Sequence, residues 1–365
     1  MSMGGFTQVC ALLEHSPQPR FLHLLNQSEE TGLILRIGTA VAGTLWFILL
    51  TALITRKFAT DSLNSIPVVV FAYIMLLLFL SIVIFAYPTF RARSHNTFEN
   101  FHRYSGWSAV ALFWVELALL TDALPGKSNK LGLKLVGEPS FWLLILITLN
   151  IIWPWARLRH IEVTPEKLSD HALRLHFSKT LIPFSGYSIA NHPLGEWHPF
   201  APFPDEDGER SSLVVSDAGD WTKQTVANPQ NRYWVRGEPK YGVLSLTRIF
   251  KSCVVVTTGS GIGPCLAFTA NPWCNIKCRL LWSTPSPLET YGEGICQIVD
   301  RIDPRALIID TRKAGRPDLV DLAYRLYVES NAECVFVISN QKLTKKVVYA
   351  MESRGVPAFG PIWDS

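Results

Sequence analysis

The sequence predicts three structural parts: a bundle of four membrane-spanning helices, a small antiparallel β-barrel, and a doubly wound α/β domain. Three observations predict this order. Four long apolar runs come first, short strand-like segments punctuated by proline and glycine follow, and alternating strands and helices fill the remainder. We therefore predict an N-terminal segment at 1–32, membrane helices at 33–156, the barrel at 157–250 and the α/β domain at 251–365.

Composition agrees with a membrane component. The 365 residues are 48% hydrophobic and only 18% charged, whereas soluble domains carry about 25% charged residues. The net charge of +4 is small and no run of Lys or Arg occurs, so no nucleic-acid partner is expected. The seven cysteines are scattered, and Cys274 and Cys278 lack the second pair or the histidine of a zinc site. Reduced thiols and no metal site are therefore expected.

Each apolar run approaches the length needed to cross a bilayer, about 17–25 residues. The second run, IPVVVFAYIMLLLFLSIVIFAY, is the clearest, and Pro154 closes the shorter fourth run. A buried core helix is the alternative for any single run, but four in succession favour membrane spans. The predicted spans are Ile37–Thr55, Ile66–Tyr87, Gly106–Leu124 and Ser140–Trp155.

Basic residues near the span ends predict the orientation of the chain. Four spans place both termini on one side, and the side with more Lys and Arg is normally cytosolic. That side carries Arg20, Arg36, Arg91, Arg93, Arg103, Arg157, Arg159 and Lys167, against Arg56, Lys57, Lys127, Lys130 and Lys134 on the other. The chain is therefore expected to be a multi-pass membrane protein whose C-terminal domains face the cytosol and whose helices contact the lipid bilayer.

The remaining chain changes its periodicity at about Phe250. Before it, ALRLHF, SSLVVS and YGVLSL alternate like short antiparallel strands between Pro and Gly residues. After it, CVVVTTGSG, KCRLLWS, ALIIDT and ECVFVIS read as buried strands. Helices follow the last two strands: one places Leu319, Leu322, Ala323 and Leu326 on one face, and the other begins after Asn340 as its N-cap. Alternation of this kind predicts a parallel sheet.

A glycine-rich turn follows the first strand of the α/β domain. It contains Gly259, Ser260, Gly261, Ile262, Gly263 and Pro264 and is predicted to open a helix. Glycines let a backbone approach a pyrophosphate closely, and a helix N-terminus supplies N–H groups and a positive dipole end. A tight turn selected only for packing is the alternative, but the alternating sheet favours dinucleotide binding.

Four motifs occur in the order found in one protein superfamily. EWHPF at 196–200 resembles the flavin motif of the membrane NADPH oxidases and ferric reductases, and DAGDWT at 217–222 resembles the stretch that follows it. TGSGIGP at 258–264 and GRPD at 315–318 resemble segments of their NADPH lobe. The helical arrangement and the ending GVPAFGPIWDS are most similar to the fungal TmpA-type membrane flavoproteins. The similarity covers 157–365 well and the membrane part loosely.

This resemblance implies a ferredoxin-reductase-like module with FAD on the barrel and NADPH or NADH on the α/β domain. It places the flavin against His198, Pro199 and Phe200, and its pyrophosphate by Gly219, Trp221 and Thr222. The glycine turn then cradles the nicotinamide nucleotide, and Trp363 covers the flavin ring or is a packed core residue. The family reads the 2′-phosphate of NADPH just after the second strand, where this chain offers the hydroxyl of Ser283. Three cations after the third strand either select NADPH or are solvated surface charges: Arg312, Lys313 and Arg316.

The resemblance implies a membrane-anchored oxidoreductase that passes electrons from NAD(P)H through FAD to an unidentified small-molecule acceptor. Several positions depart from the family pattern: Ala201 replaces a Thr, Ser216 replaces an Arg, and Ser339-Asn340 replaces a Cys-Gly pair. The turn at 237–242 is also altered. These departures support the alternative, a non-catalytic membrane signalling or binding protein that retains the reductase fold.

Haem is not expected in the predicted membrane helices. Each haem of the oxidases and ferric reductases needs two histidines on facing helices. His102 resembles the first ligand, but Glu116 stands where the second should be, and the fourth span contains no histidine. An acidic side chain in mid-span should face the bundle interior. There Glu116 would form a helix–helix hydrogen bond or serve as a substrate or proton site.

Overall fold

The computed structural model describes residues 19–124, 130–205, 208–236, 240–269 and 276–361. The chain divides into two compact units, a helical one covering Gln27–Trp153 and a second that comprises Pro154–Trp363 together with the residues before Gln27. The second unit contains two sheets. Trp363 lies outside the described residues, so its predicted position over a flavin ring is not described.

Helices make up the first part of the described chain. They are α1 Pro19–Ala59, α2 Ile66–Phe85, α3 Pro88–Arg93, α4 His95–Ala123, α5 Leu131–Val136 and α6 Pro139–Ala156. Within the described residues, four helices contain segments long and apolar enough to cross a membrane: Gly38–Ala59, Ile66–Phe85, Thr97–Ala123 and Pro139–Ala156. Trp46 is 71% exposed and Leu77 67% exposed, and large exposed apolar side chains of this kind are typical of a lipid- or protein-facing surface. The rings of Phe47, Phe79 and Phe113 meet inside the unit.

An antiparallel sheet begins the second unit. Its strands are β1 Arg159–Lys167, β2 Ala172–Phe177, β3 Ser185–Ala190, β4 His198–Phe200, β5 Phe203–Pro204, β6 Ser211–Ser216, β7 Arg232–Val235 and β8 Lys240–Tyr241, with helix α7 Asp220–Ala227 before β7. The pairing order is β4-β3-β7-β1-β2-β6-β5, and β8 pairs with β3. Leu173, Leu175, Leu213, Val215 and Tyr233 form part of its buried inner face.

The predicted barrel is a half-barrel in the described residues, because the path of strand pairing ends at β4 and β5. These two edge strands are only three and two residues long. Each contains a proline, Pro199 or Pro204, which has no N–H to donate to a further strand. The prolines therefore disfavour further pairing at β4 and β5, and these two edges of the sheet do not pair with each other.

One predicted strand is wrong. Residues Val243–Ile249, which include most of YGVLSL, form a 3₁₀ helix. Its buried members, Leu244 and Thr247, are three residues apart, the repeat of a 3₁₀ helix. The Thr247 hydroxyl donates a hydrogen bond to the Leu244 carbonyl at 2.6 Å. In so short a segment the apolar pattern fits the two-residue repeat of a strand and the three-residue repeat of a 3₁₀ helix almost equally.

The α/β domain has the predicted parallel sheet. Its strands are β9 Ser252–Thr258, β10 Lys277–Thr284, β11 Leu307–Asp310, β12 Cys334–Ile338 and β13 Ala358–Phe359. Every pairing is parallel, in the order β11-β10-β9-β12-β13. Alternate residues face separate cores, Cys253 and Val255 on one side and Val254 and Val256 on the other. The main helices are α9 Pro287–Ile302, α11 Leu319–Ser330 and α12 Gln341–Glu352, with the short α8 Ile262–Cys265 and α10 Thr311–Ala314. The half-barrel is therefore followed in the chain by a five-stranded parallel sheet.

Candidate nucleotide and flavin sites

The glycine turn lies where the chain leaves β9, the central strand of the parallel sheet. Gly259 has a φ of +51°, which favours glycine. At Gly261, a Cβ atom would lie 2.5 Å from the carbonyl oxygen of Ile338 and 2.6 Å from the hydroxyl of Thr257. The turn therefore needs glycine at 261 to pack against the end of β12. Strand order reverses at this point, where open α/β sheets bind their ligands.

The helix that follows this turn is short. Helix α8 has four residues and is followed by a 3₁₀ segment, Leu266–Thr269. Residues 265–268 are buried, so the chain enters the core instead of continuing as a helix. One turn of helix provides little macrodipole. The glycines therefore contribute close backbone access rather than a charged helix end.

A cavity of about 730 Å³ opens beside the turn. Gly259, Ser283 and Asn340 lie in its wall, at the carboxyl ends of three neighbouring strands. The wall also contains four basic residues and no acidic residue: Arg312, Arg316, Lys342 and Lys346. None of these four forms an ion pair with another described residue. The cavity is therefore suited to a ligand with several negative charges.

A second cavity, of about 810 Å³, adjoins the first. The two share Thr258, Gly259, Thr284, Pro285, Arg312 and Asn340. The second adds Ser260 and Tyr291 from the α/β domain and His171 from the turn between β1 and β2. A continuous groove therefore runs from the basic wall, past the glycine turn, to the half-barrel.

The predicted nucleotide residues divide into two groups. Ser283 and Arg316 line the first cavity, Ser260 lines the second and Gly259 lines both. Four others, Gly261, Ile262, Gly263 and Pro264, are absent from both walls.

One cation considered from the sequence lies outside the cavities, and two lysines of the first cavity were not predicted. Lys313 is 87% exposed and lies 3.7 Å from Asp310, outside both cavity walls. Lys342 and Lys346 were not predicted, although their four-residue spacing after the N-cap Asn340 was a usable signal.

The predicted flavin residues form an aromatic cluster. The His198 ring stacks on the Trp221 indole with 4.3 Å between centroids and 22° between planes. Phe200 lies 6.0 Å from the same indole. Strand β4 brings His198 and Phe200 to the sheet edge, and Trp221 is the second residue of α7. This shelf of His198, Phe200 and Trp221 fits a flat aromatic ring such as a flavin.

The segment beside this shelf fits a phosphate poorly. The Thr222 hydroxyl oxygen accepts hydrogen bonds from the backbone N–H groups of Ala218 and Gly219, both at 2.9 Å. Asp220 begins the helix and Asp217 precedes it. Ser216 is buried and neutral. The flavin ring therefore fits the residues present, whereas the pyrophosphate of FAD does not.

The helical unit contains one buried acid. Glu116 is 3% exposed, and neither of its carboxylate oxygens has a hydrogen-bond partner among the described residues. It faces the interior, but the helix–helix hydrogen bond, one of the two roles considered for it, is not formed within the described part of the chain. Within the described ranges, no group of three or more His, Cys, Asp or Glu residues is arranged to hold a metal ion.

Sequence comparisons relate the chain to a group of fungal reductases. Residues 243–365 match the family described as "Adenylate-forming reductase 03009, C-terminal domain". Two Coprinopsis cinerea proteins are similar over most of the chain. Adenylate-forming reductase 03009 is 48% identical over 330 residues, and adenylate-forming reductase 06235 is 46% identical over 331. Each alignment covers 90% of this chain but 32% of the relative, so the chain spans about a third of the length of these relatives.

The structure is distantly similar to solved structures of ferredoxin-NADP+ reductases. A Neisseria gonorrhoeae ferredoxin NADP+ reductase with bound FAD and NADP has a TM-score of 0.46 and 12% identity, covering 56% of this chain and 98% of that one. A Plasmodium falciparum ferredoxin-NADP+ reductase with 2'P-AMP has a TM-score of 0.41 and 11% identity, covering 55% and 95%. The similarity to TmpA-type flavoproteins remains a resemblance of motifs.

Proposed function

We propose that this chain is an NAD(P)H-dependent flavin oxidoreductase held in a membrane by its four apolar helices. The observation that carries the proposal is the groove beside the glycine turn, which joins a basic cavity to the half-barrel. The similarity to two adenylate-forming reductases also supports the proposal. The chain spans only about a third of these relatives. We therefore propose for it a reductase step and not the adenylate-forming step that the relatives' names describe.

The groove favours NADPH over NADH. NADPH carries a 2′-phosphate in addition to the pyrophosphate, and the wall of the first cavity contains four basic side chains and no acidic one. We propose that the adenosine half lies in this cavity, against Arg312 and Arg316. The nicotinamide half then extends past Ser260 toward Tyr291 and His171. A flavin stacked on the His198–Trp221 shelf would supply the hydride-accepting chemistry.

The test uses full-length chain purified in detergent. NADPH oxidation is followed with added FAD and with ferricyanide as the final acceptor. We expect turnover that requires both NADPH and flavin and shows no haem absorbance. If the chain binds NADPH but oxidises none of it with flavin and ferricyanide present, the oxidoreductase proposal is wrong.

That result would favour a second candidate, a non-catalytic binding or signalling module with a retained reductase fold. The observation that supports it is the Thr222 hydroxyl, which occupies the Ala218 and Gly219 amides that a bound FAD pyrophosphate would need. Such a module would bind nucleotide without turnover.

We further propose that the sheets face the cytosol, where a small-molecule acceptor collects the electrons. Alkaline extraction should leave the chain in the membrane fraction. Protease added to sealed vesicles with the cytosolic side outward should digest the sheet domains. Release by alkaline carbonate, or protection from the protease, would contradict this topology.

A further inference from the structure

We infer that this chain uses flavin as an exchangeable substrate instead of holding FAD permanently. The inference rests on the proposed function and specifies the substrate class of the same site. The structure offers contacts for the flavin ring, whereas the groups nearest the position of the phosphates disfavour them. Riboflavin, FMN and FAD should therefore be bound almost equally.

The ring contacts are the same for all three flavins. His198 and Trp221 stack at 4.3 Å, and Phe200 borders the indole. Stacking on these rings depends on the tricyclic system, which riboflavin, FMN and FAD share. The shelf therefore contributes affinity without discriminating between the phosphorylated and unphosphorylated forms.

Trp221 is the second residue of α7, so the N-terminus of that helix lies beside the shelf, within reach of phosphates attached to a stacked ring. A helix N-terminus ordinarily binds phosphate through free N–H groups and its positive dipole end. Here the Thr222 hydroxyl already accepts from the amides of Ala218 and Gly219. Two of the backbone N–H groups that could bind a pyrophosphate therefore already donate to a side chain of the protein.

Charge at this turn also opposes phosphate binding. Residues 217–223 carry two carboxylates, Asp217 and Asp220, against one ammonium group, Lys223. Neither aspartate forms an ion pair with another described residue. The neighbouring Ser216 is buried and adds no positive charge. These carboxylates offset the attraction of the helix N-terminus for a phosphate, in contrast to the basic wall of the first cavity.

The proposed reaction is a two-electron reduction of the free flavin. A hydride leaves C4 of the nicotinamide and bonds to N5 of the flavin, and a solvent proton bonds to N1. NADPH is oxidised to NADP+ and the flavin is reduced to its dihydro form. The reduced flavin then dissociates and carries the electron pair to an acceptor.

The test is the binding of riboflavin, FMN and FAD to the full-length chain in detergent, measured by quenching of flavin fluorescence. We expect Kd values within about threefold of one another and substoichiometric flavin after purification, because the phosphates gain no net contact. Two charge-assisted hydrogen bonds to phosphate would instead favour FAD by on the order of 100-fold. Binding of FAD more than about tenfold tighter than riboflavin, or one FAD retained per chain, would overturn the inference.

A charge-removing variant sharpens the test. We expect Asp217→Asn/Asp220→Asn to lower the Kd of FMN and FAD by about tenfold, because the repulsion between like charges is removed. Riboflavin, which has no phosphate, is the internal control and should bind unchanged. Asp300→Asn, an exposed charge on α9, should alter none of the three. If the double variant binds all three flavins as the wild type does, repulsion is not the cause and the inference fails.

The single variant Asp220→Asn provides the same comparison if the double variant does not fold. Flavin binding also separates this inference from the proposed function. Equal binding of the three flavins without NADPH oxidation would contradict the oxidoreductase proposal alone. NADPH oxidation by a chain that retains FAD would contradict only the exchange of flavin.

Discussion

The indole N–H of Trp282 donates a hydrogen bond to the carbonyl oxygen of Gly259 at 3.1 Å. Trp282 is fully buried on β10, and its ring contacts Tyr291 with 5.2 Å between centroids. Strand β10 is thereby hydrogen-bonded to the glycine turn that follows β9. The contact therefore connects β10 to Gly259, which lines both cavities.

Trp282→Phe should keep an aromatic ring in the core but remove the donor to Gly259. We expect the KM for NADPH to rise about five- to tenfold, because one hydrogen bond contributes on the order of 1 kcal/mol. Steady-state kinetics measures the change, and thermal unfolding records any loss of stability. Trp234→Phe is the control, since Trp234 stacks on His160 in the half-barrel. An unchanged KM in Trp282→Phe would show that the hydrogen bond does not position the turn.

Gly261 and Gly263 provide a matched pair within the same turn. A Cβ at 261 would meet the Ile338 carbonyl at 2.5 Å, whereas a Cβ at 263 has no heavy atom within 4 Å. Gly261→Ala should displace the turn from β12, weaken nucleotide binding at least tenfold and cost about 1–3 kcal/mol of stability. Gly263→Ala should do neither. Isothermal titration with NADPH and thermal unfolding measure both effects, and similar behaviour of the two variants would contradict the packing assignment.

Lys342 and Lys346 lie one turn apart on α12 and share the first cavity with Arg312 and Arg316. We expect Lys342→Ala/Lys346→Ala to raise the KM for NADPH about tenfold and that for NADH less than about threefold, because charge-assisted contacts to the 2′-phosphate are lost. Lys345→Ala is the control, since this exposed lysine lies on the same helix outside the cavity wall. Equal losses for both nucleotides would mean that the lysines do not select the 2′-phosphate.

A polar cluster on the outer face of the half-barrel should make stability depend on pH. His176 Nδ1 lies 3.0 Å from Asp205, and its Nε2 lies 2.9 Å from Glu166. The hydrogen bond to Asp205 raises the pKa of His176, against the opposing effect of burial. Burial disfavours ionisation of Asp205, but the hydrogen bonds from His176 and Ser212 outweigh it and lower its pKa to about 2.

The sign of each shift defines the pH window. The contribution of His176 is fully present below its ordinary pKa of 6.5 and is lost as pH rises through its raised value. The contribution of Asp205 is present above 3.8 and is lost as pH falls through about 2. His176→Ala should therefore lower the unfolding temperature more at pH 5 than at pH 9, by the equivalent of about 1–2 kcal/mol.

Thermal unfolding of the purified chain across this pH range measures the effect. His192→Ala is the control, because His192 is exposed in the loop between β3 and β4. A His176→Ala deficit that does not change with pH would show that the charged form of the ring makes no contribution.

Several features were predictable because they depend on residues close together in the chain. The apolar runs predicted the four long helices, and four of the five strands of the α/β domain were predicted from short buried segments. The N-cap of α12 was predicted from Asn340 alone, and its side chain accepts from the Leu343 N–H at 3.0 Å. Local periodicity fails where a segment is too short, which explains the 3₁₀ helix at Val243–Ile249.

The sequence by itself determined the helices, the parallel sheet and the glycine turn, since each follows from the spacing of neighbouring residues. Only the tertiary structure decided how distant segments meet. It brought Lys342 and Lys346 into one wall with Arg312 and Arg316, stacked His198 on Trp221, and left the half-barrel open at its proline-containing edges. It also directed the Thr222 hydroxyl to the Ala218 and Gly219 amides. These contacts depend on the packing of elements that are remote in sequence or on the orientation of a single side chain, which no periodicity encodes.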